Sequence, residues 1–173
     1  MVYGTTEGHT RKIAERIGEW VRDAEVVDSA NLPKGLDVAS FDAFIVAGSL
    51  HETKHQRPLR HFVKEHSAVM NARPTAFLSV SLTAIKKDEK HTADAPRCID
   101  AFLEETGLQP TMTKAVAGAL LYTKYDFLKR FIMVQIVKGE GGDLDTSRDY
   151  EYTDWDDLKS AIESFVATVE SRP

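Results

Sequence analysis

Cysteine is nearly absent from this chain: Cys98 is the only one among 173 residues, so no internal disulfide can form. Long apolar runs are missing too, and without a stretch of roughly twenty apolar residues no segment can span a bilayer as a helix. A cationic excess is also lacking. The formal net charge is −5 and the pI about 5.7, a balance that repels phosphate backbones and removes nucleic acid from the partner classes. The N-terminus lacks the charged and apolar regions of a signal peptide, which together with the lone thiol points to a reducing cytoplasm. Cys98 lies on an expected helix between Arg97 and Ile99, where it reads as a small buried hydrophobe with no chemistry of its own.

What is present is the composition of an ordinary globular domain, with 42% apolar and 28% charged residues. The length suits one domain, 1–173, with enough chain to bury a core. Short apolar runs rich in β-branched residues read as buried strands at 24–27, 43–47, 76–80 and 115–121, and Met1 to Tyr3 supplies a first strand. That first strand is short, about two residues below the usual five, which leads us to expect an N-terminus shortened relative to the fold. Between the strands, Ile13, Ala14, Ile17 and Val21 keep helical spacing, as do Leu59, Phe62 and Val63, and then Ile99, Phe102 and Leu103. Strands alternating with helices require crossover connections, so the expected fold is a doubly wound α/β parallel sheet of five strands with helices on both faces. A last helix should begin at Thr153 and Asp154 and dock Trp155, Leu158, Ile162, Phe165, Val166 and Val169. The stretch 122–148 before it is more than a minimal five-stranded sheet needs.

The chemistry-bearing motif is Thr5, Thr6, Glu7, Gly8, His9 and Thr10, which follows the first strand and opens a helix. At that position free backbone N–H groups and the positive end of the helix dipole meet an anion. Three threonine hydroxyls can donate to phosphate oxygens, and Gly8 lets the backbone approach closely. The loop contains no lysine, so N–H groups and hydroxyls rather than a point charge must hold the phosphate, unlike an ATP-type loop. A polar turn with Thr10 as a simple cap is the plain alternative, but the loop lies beside the topological switch point, where doubly wound sheets bind their ligands. Its spacing of aromatic, threonine and small residues resembles the FMN signature of the flavodoxins. That resemblance implies a flavodoxin-like strand order, 2-1-3-4-5, with FMN as cofactor. The loops after two further strands should then hold the flavin ring: Gly48, Ser49, Leu50, His51 and Glu52, and Ser79, Val80, Ser81, Leu82, Thr83 and Ala84.

A closer resemblance runs almost the full length. Gly48 and Ser49, Phe77 with Ser79, Val80, Leu82 and Ala84, and Ala117, Gly118, Ala119 and Leu120 with Tyr122 resemble the menaquinone-dependent protoporphyrinogen oxidases. The most specific part is the end, where Tyr125, Arg130 and Phe131 precede Gly141, Gly142, Asp145 and Thr146 and then Tyr152, Thr153, Asp154 and Trp155. The resemblance implies oxidation of protoporphyrinogen IX, a quinone acceptor and peripheral contact with the cytoplasmic membrane. The chain departs from that family's pattern at His51, Glu52, Ser81 and Ile85, positions that flank the flavin.

Within 125–138, Phe127, Leu128, Phe131, Ile132, Met133, Val134, Ile136 and Val137 would cover most of a helix circumference. Such a helical insertion can lie at a membrane interface, receive a quinone tail, pair with a copy of itself as a homodimer, or be buried in its own domain. His51, His55 and His61 invite a zinc reading, which we set aside because no cysteine or carboxylate completes a recognisable spacing. Lys86, Lys87 and Lys90 can meet carboxylates or lipid headgroups, or form a solvated loop with Asp88 and Glu89. Tyr122 and Tyr125 suit either a cleft or the core. No catalytic acid or base stands out. The expected activity is an FMN-dependent oxidoreductase passing electrons from a porphyrinogen-like small molecule to a quinone; the alternatives are an electron-carrier flavodoxin without a substrate pocket and an FMN-dependent quinone reductase.

Overall fold

Strand side chains point alternately to the two faces of a sheet, and here both faces are apolar. The computed structural model describes residues 1–51, 53–82, 94–124 and 145–172. In chain order the first elements are β1 (Val2–Gly4), α1 (His9–Trp20), β2 (Val27–Asp28), β3 (Phe44–His51), β4 (Lys54–His55) and α2 (Arg57–Asn71). They are followed by β5 (Thr75–Ser81), α3 (Asp94–Thr106), β6 (Met112–Ala117), β7 (Ala119–Leu120), β8 (Tyr150–Glu151) and α4 (Trp155–Glu170). Five strands pair in parallel in the order β2-β1-β3-β5-β6. This is the expected 2-1-3-4-5 topology, renumbered because β4 is a short antiparallel strand on β3. Ile45, Ala47, Ala76, Leu78 and Val80 face one way, against Ile13 and Ile17 of α1 and Leu158, Ile162 and Phe165 of α4. Phe44, Val46 and Phe77 face the other way, against Leu59, Phe62 and Val63 of α2 and Ile99 and Phe102 of α3.

The boundaries differ from expectation where hydrogen bonding outweighs the apolar pattern. The second strand does not begin at Ala24, because Asp23 is left-handed (φ 56°) and Ala24 N–H closes a turn onto Val21; β2 pairs only at Val27 and Asp28. The expected strand 115–121 divides at Gly118. There the N–H still donates to Ser81 O, but the carbonyl accepts from Tyr152 N–H, and β7 leaves the main sheet to pair with β8. Cys98 is half-buried rather than core, since Ala95, Ile99 and Phe102 take the buried side of α3. Tyr122 is fully buried, packed beside Leu120, Tyr150 and Tyr152. Glu52, Thr83, Ala84, Ile85, Lys86, Lys87, Lys90, Tyr125 and the apolar stretch 125–138 lie outside the described residues. No described helix is long and apolar enough to cross a membrane.

The last helix starts as its sequence indicates: Asp154 is the N-cap, and its carboxylate accepts from Asp157 N–H at 3.0 Å. Asp154→Ala should lower unfolding stability by about 1 kcal/mol, the usual worth of such a cap, as read by urea denaturation. An unchanged midpoint would show that the cap contributes nothing to this helix.

Candidate functional site

β1 sits between β2 and β3, and the chain leaves its carboxyl end for α1 on one face of the sheet, while β3 sends its connection to the other. This is the crevice that open α/β sheets use for ligands. Register brings Gly4, Gly48 and Ser79 side by side across β1, β3 and β5, so the loop after β1 and the ends of the two neighbouring strands form one site.

The loop 5–10 opens α1 without a side-chain cap. Gly8 is left-handed (φ 94°) and occupies the N-cap of α1 with no side-chain cap, so the first N–H groups of the helix have no partner within it. Thr5 Oγ1 accepts from Gly8 N–H at 2.9 Å and closes the turn. Thr6 Oγ1 accepts from Gln56 Nε2 at 2.9 Å. Both hydroxyls are acceptors in these bonds and keep their own hydrogen for an anion. Thr10 is fully buried, and its Oγ1 has no hydrogen-bond partner among the described residues. An orphaned buried hydroxyl costs free energy unless something fills the vacancy. One at an uncapped helix N-terminus has a phosphate oxygen as its natural complement. A non-glycine residue in left-handed backbone costs about 1–2 kcal/mol, so Gly8→Ala should lose roughly that much stability in chemical denaturation; no loss would mean that the turn relaxes out of this conformation.

His9 has a different role from the rest of its loop. Its Nε2 lies 2.7 Å from Thr153 Oγ1, and Thr153 donates its one hydroxyl hydrogen to Ala117 O at 2.7 Å. The proton of this bond therefore belongs to His9 Nε2, and the imidazole ties α1 to the start of α4 and the end of β6. Its ring also meets Trp155 edge-on at 6.5 Å.

The other expected site residues stand on strands rather than in loops. β3 runs through Gly48, Ser49, Leu50 and His51 because Leu50 and His51 pair with His55 and Lys54 in a hairpin. Ser79, Val80 and Ser81 end β5; Val80 points into the core, and Ser81 is buried with its carbonyl bound to Gly118 N–H. Leu82 packs toward Tyr122. Gly48 has no room for a side chain, since a Cβ there would lie 2.7 Å from Leu59 Cδ2 and 2.8 Å from His55 Cδ2.

Two residues of this site were not foreseen. Gln56 caps no N–H of α2 with its side chain; its Nε2 donates to Thr6 Oγ1 and to Ser49 Oγ, joining the loop 5–10 to β3. Pro58 marks the first turn of α2 and so places Gln56 at its start, but it carries no signal of the bond to Thr6. His55 lies 3.0 Å through Nε2 from Ser79 Oγ, edge-on to Phe77 and Phe102. Burial, reinforced by the nearby Arg60 guanidinium, pushes its pKa down to about 4. It is a neutral core histidine. His61 sits instead on the outer side of α2 beside Glu65, and His51 is exposed. Among the described residues no cluster of histidine, cysteine and carboxylate side chains could hold a metal ion.

Fold and site together define a doubly wound α/β protein with a lysine-free loop and an uncapped helix N-terminus at its switch point. Residues 1–147 match the flavodoxin domain family, and the chain belongs to it. The protoporphyrinogen IX dehydrogenase (quinone) of Leishmania major is 32% identical over 171 residues, spanning 96% of this chain and 74% of that protein. The protein of the same name from Escherichia coli K12 is 30% identical over 161 residues, spanning 91% and 88%. Among solved structures, oxidised Flavodoxin 1 from Bacillus cereus superposes with a TM-score of 0.55 at 12% identity over all of this chain and 97% of that one, a likeness of fold.

Proposed function

We propose that this chain is an FMN-dependent oxidoreductase that withdraws electrons from protoporphyrinogen IX and delivers them to a quinone. What carries the reading is the likeness, at 30–32% identity over 91–96% of the chain, to enzymes named for that reaction. The orphaned Thr10 hydroxyl above an uncapped helix start supports the cofactor half of it. The bound flavin supplies the redox chemistry, and the protein supplies binding, orientation and electrostatics.

The residues divide that work by position. Thr5, Thr6 and Thr10 donate hydroxyls to the phosphate, and the first N–H groups of α1, freed by Gly8, add the helix dipole. Glu7 and His9 contribute backbone rather than side chain, the imidazole being bound to Thr153. Gln56 fixes the distance between that cradle and Ser49. Gly48, Ser49, Leu50 and His51 at the end of β3, and Ser79, Val80, Ser81 and Leu82 at the end of β5, would border the ring through their backbone, with Thr83 and Ala84 assigned to it from the sequence alone. Peripheral membrane contact through 125–138 belongs to the same reading, since a quinone is delivered from the bilayer.

The test is anaerobic mixing of FMN-loaded protein with protoporphyrinogen IX while following the visible absorbance of the oxidised flavin. Bleaching with porphyrin formation, reversed by a soluble menaquinone analogue, is the expected result. A fully loaded protein that does not bleach loses this substrate and stands as a carrier flavodoxin; bleaching by a reduced nicotinamide alone would make it a quinone reductase.

A further inference from the structure

Gln56 joins two walls of the candidate site at a cost to the fold. Its Nε2 gives one hydrogen to Thr6 Oγ1, at 2.9 Å, and the other to Ser49 Oγ. The two acceptors stand on different elements, Thr6 in the loop after β1 and Ser49 in β3. The other end of the amide is less well served: Gln56 Oε1 is buried and has no hydrogen-bond partner among the described residues. It is seated against β1, where a Cβ at position 4 would lie 3.0 Å from Oε1 and 3.0 Å from Leu59 Cβ, so Gly4 is what leaves room for it. A buried acceptor without a donor costs free energy. An apolar side chain of the same length would fill this slot without that cost, so the value of a glutamine here lies in what Nε2 does.

What Nε2 does is fix a direction. A hydroxyl has one hydrogen and can turn it either way. Because Thr6 and Ser49 accept from Gln56, neither gives its own hydrogen to the amide, and each keeps it for another acceptor. The reversed amide, with Oε1 between the hydroxyls, would take both hydrogens and leave lone pairs to face an anion. It would also bury two N–H groups against Gly4 in place of one C=O, which is the larger loss. The slot therefore favours the orientation that leaves both hydroxyls as donors.

We propose that Gln56 is a positioning residue for the cofactor: it holds the hydroxyls of Thr6 and Ser49 as donors toward bound FMN, Thr6 toward the phosphate. The inference rests on the FMN reading proposed above and adds to it the group that sets the sense of two hydrogen bonds. A glutamine working in this way works only through those two hydroxyls. Once both are gone, the amide has nothing left to direct.

The test is a cycle of variants, read by titrating FMN into the flavin-free protein and following fluorescence quenching. Gln56→Met keeps the length of the side chain and removes the donor, and should weaken FMN binding about ten-fold, the equivalent of one hydrogen bond to a charged group. In the Thr6→Val, Ser49→Ala background the same substitution should change affinity by less than about two-fold. Thr5, Thr10 and the start of α1 are untouched in that background, so binding stays measurable. Gln56→Glu, which keeps the shape of the amide and can only accept, should lose at least as much affinity as Gln56→Met. Equal losses in both backgrounds would make Gln56 a structural residue or a direct ligand of the cofactor, and unchanged affinity in either single variant would remove it from the site; each result overturns the proposal. A wild-type protein that takes up no FMN rejects the cofactor reading itself, whereas wild type and variants that bind FMN equally reject only the role of Gln56. These titrations need no turnover, so the substrate assignment stands or falls separately on bleaching by protoporphyrinogen IX.

Discussion

Thr10→Val is expected to weaken FMN binding by about 10- to 100-fold, the equivalent of the roughly 1.5–3 kcal/mol carried by a hydrogen bond to a charged group. The same variant should leave the stability of the apoprotein unchanged or slightly raised. The two halves of this expectation come from one observation: Thr10 is fully buried, and its hydroxyl has no partner among the described residues. A hydroxyl that makes no bond in the protein loses nothing there when it becomes a methyl group, and the cost of burying it disappears. Its whole worth must then show on binding. Flavin titration by fluorescence quenching reads the first half, urea unfolding of the stripped protein the second. Unchanged FMN affinity would remove Thr10 from the phosphate cradle. A clear loss of apoprotein stability would mean that the hydroxyl has an internal partner.

The architecture was legible because parallel strands covered on both faces read as continuous apolar runs. Phe44 to Ala47 and Ala76 to Val80 carried that signal, and both are central strands. Ends of elements were less so. β3 continues through Gly48, Ser49, Leu50 and His51 by pairing with Lys54 and His55, residues whose polarity and charge read as loop. A two-residue antiparallel strand has too little periodicity to announce itself, and its effect is tertiary.

The turn that follows β1 was legible for a local reason, while its proposed phosphate role awaits the binding test. Thr5, Thr6, Gly8 and Thr10 act through spacing along one turn, and a turn is contained in its own sequence. Gln56 acts across 50 residues, from the start of α2 to Thr6, so no local pattern could reveal its role. His9 shows the converse. Its position in the motif is local, but its imidazole is directed by Thr153, 144 residues away. In the sequence His55 stood with His51 and His61 in a zinc reading that was set aside, and spacing alone gave it no other role; the hairpin turns it inward, onto Ser79 and the stacked rings of Phe77 and Phe102, which lie 4.2 Å apart.

That inward turn makes His55 the basis of the largest expected pH effect. Its pKa is about 4 in the folded protein, against an ordinary value of 6.5, because burial and the Arg60 guanidinium disfavour the imidazolium. Between those values the unfolded chain binds a proton that the folded chain refuses, so stability falls as pH falls through this window. The contribution is complete above pH 6.5 and is lost progressively down to about pH 4. At 1.36 kcal/mol per unit, the whole excursion is about 3 kcal/mol. Carboxylates titrate over part of the same range, so the informative quantity is the difference between wild type and His55→Gln, which keeps a polar group near Ser79 and cannot titrate. Urea unfolding at pH 7.5 and pH 4.5 should show a smaller acid loss in the variant, by roughly 2 to 3 kcal/mol. Identical acid losses in the two proteins would mean that His55 is protonated without penalty, and hence that the pocket formed by Phe77, Phe102 and Ser79 opens to water well before the protein unfolds.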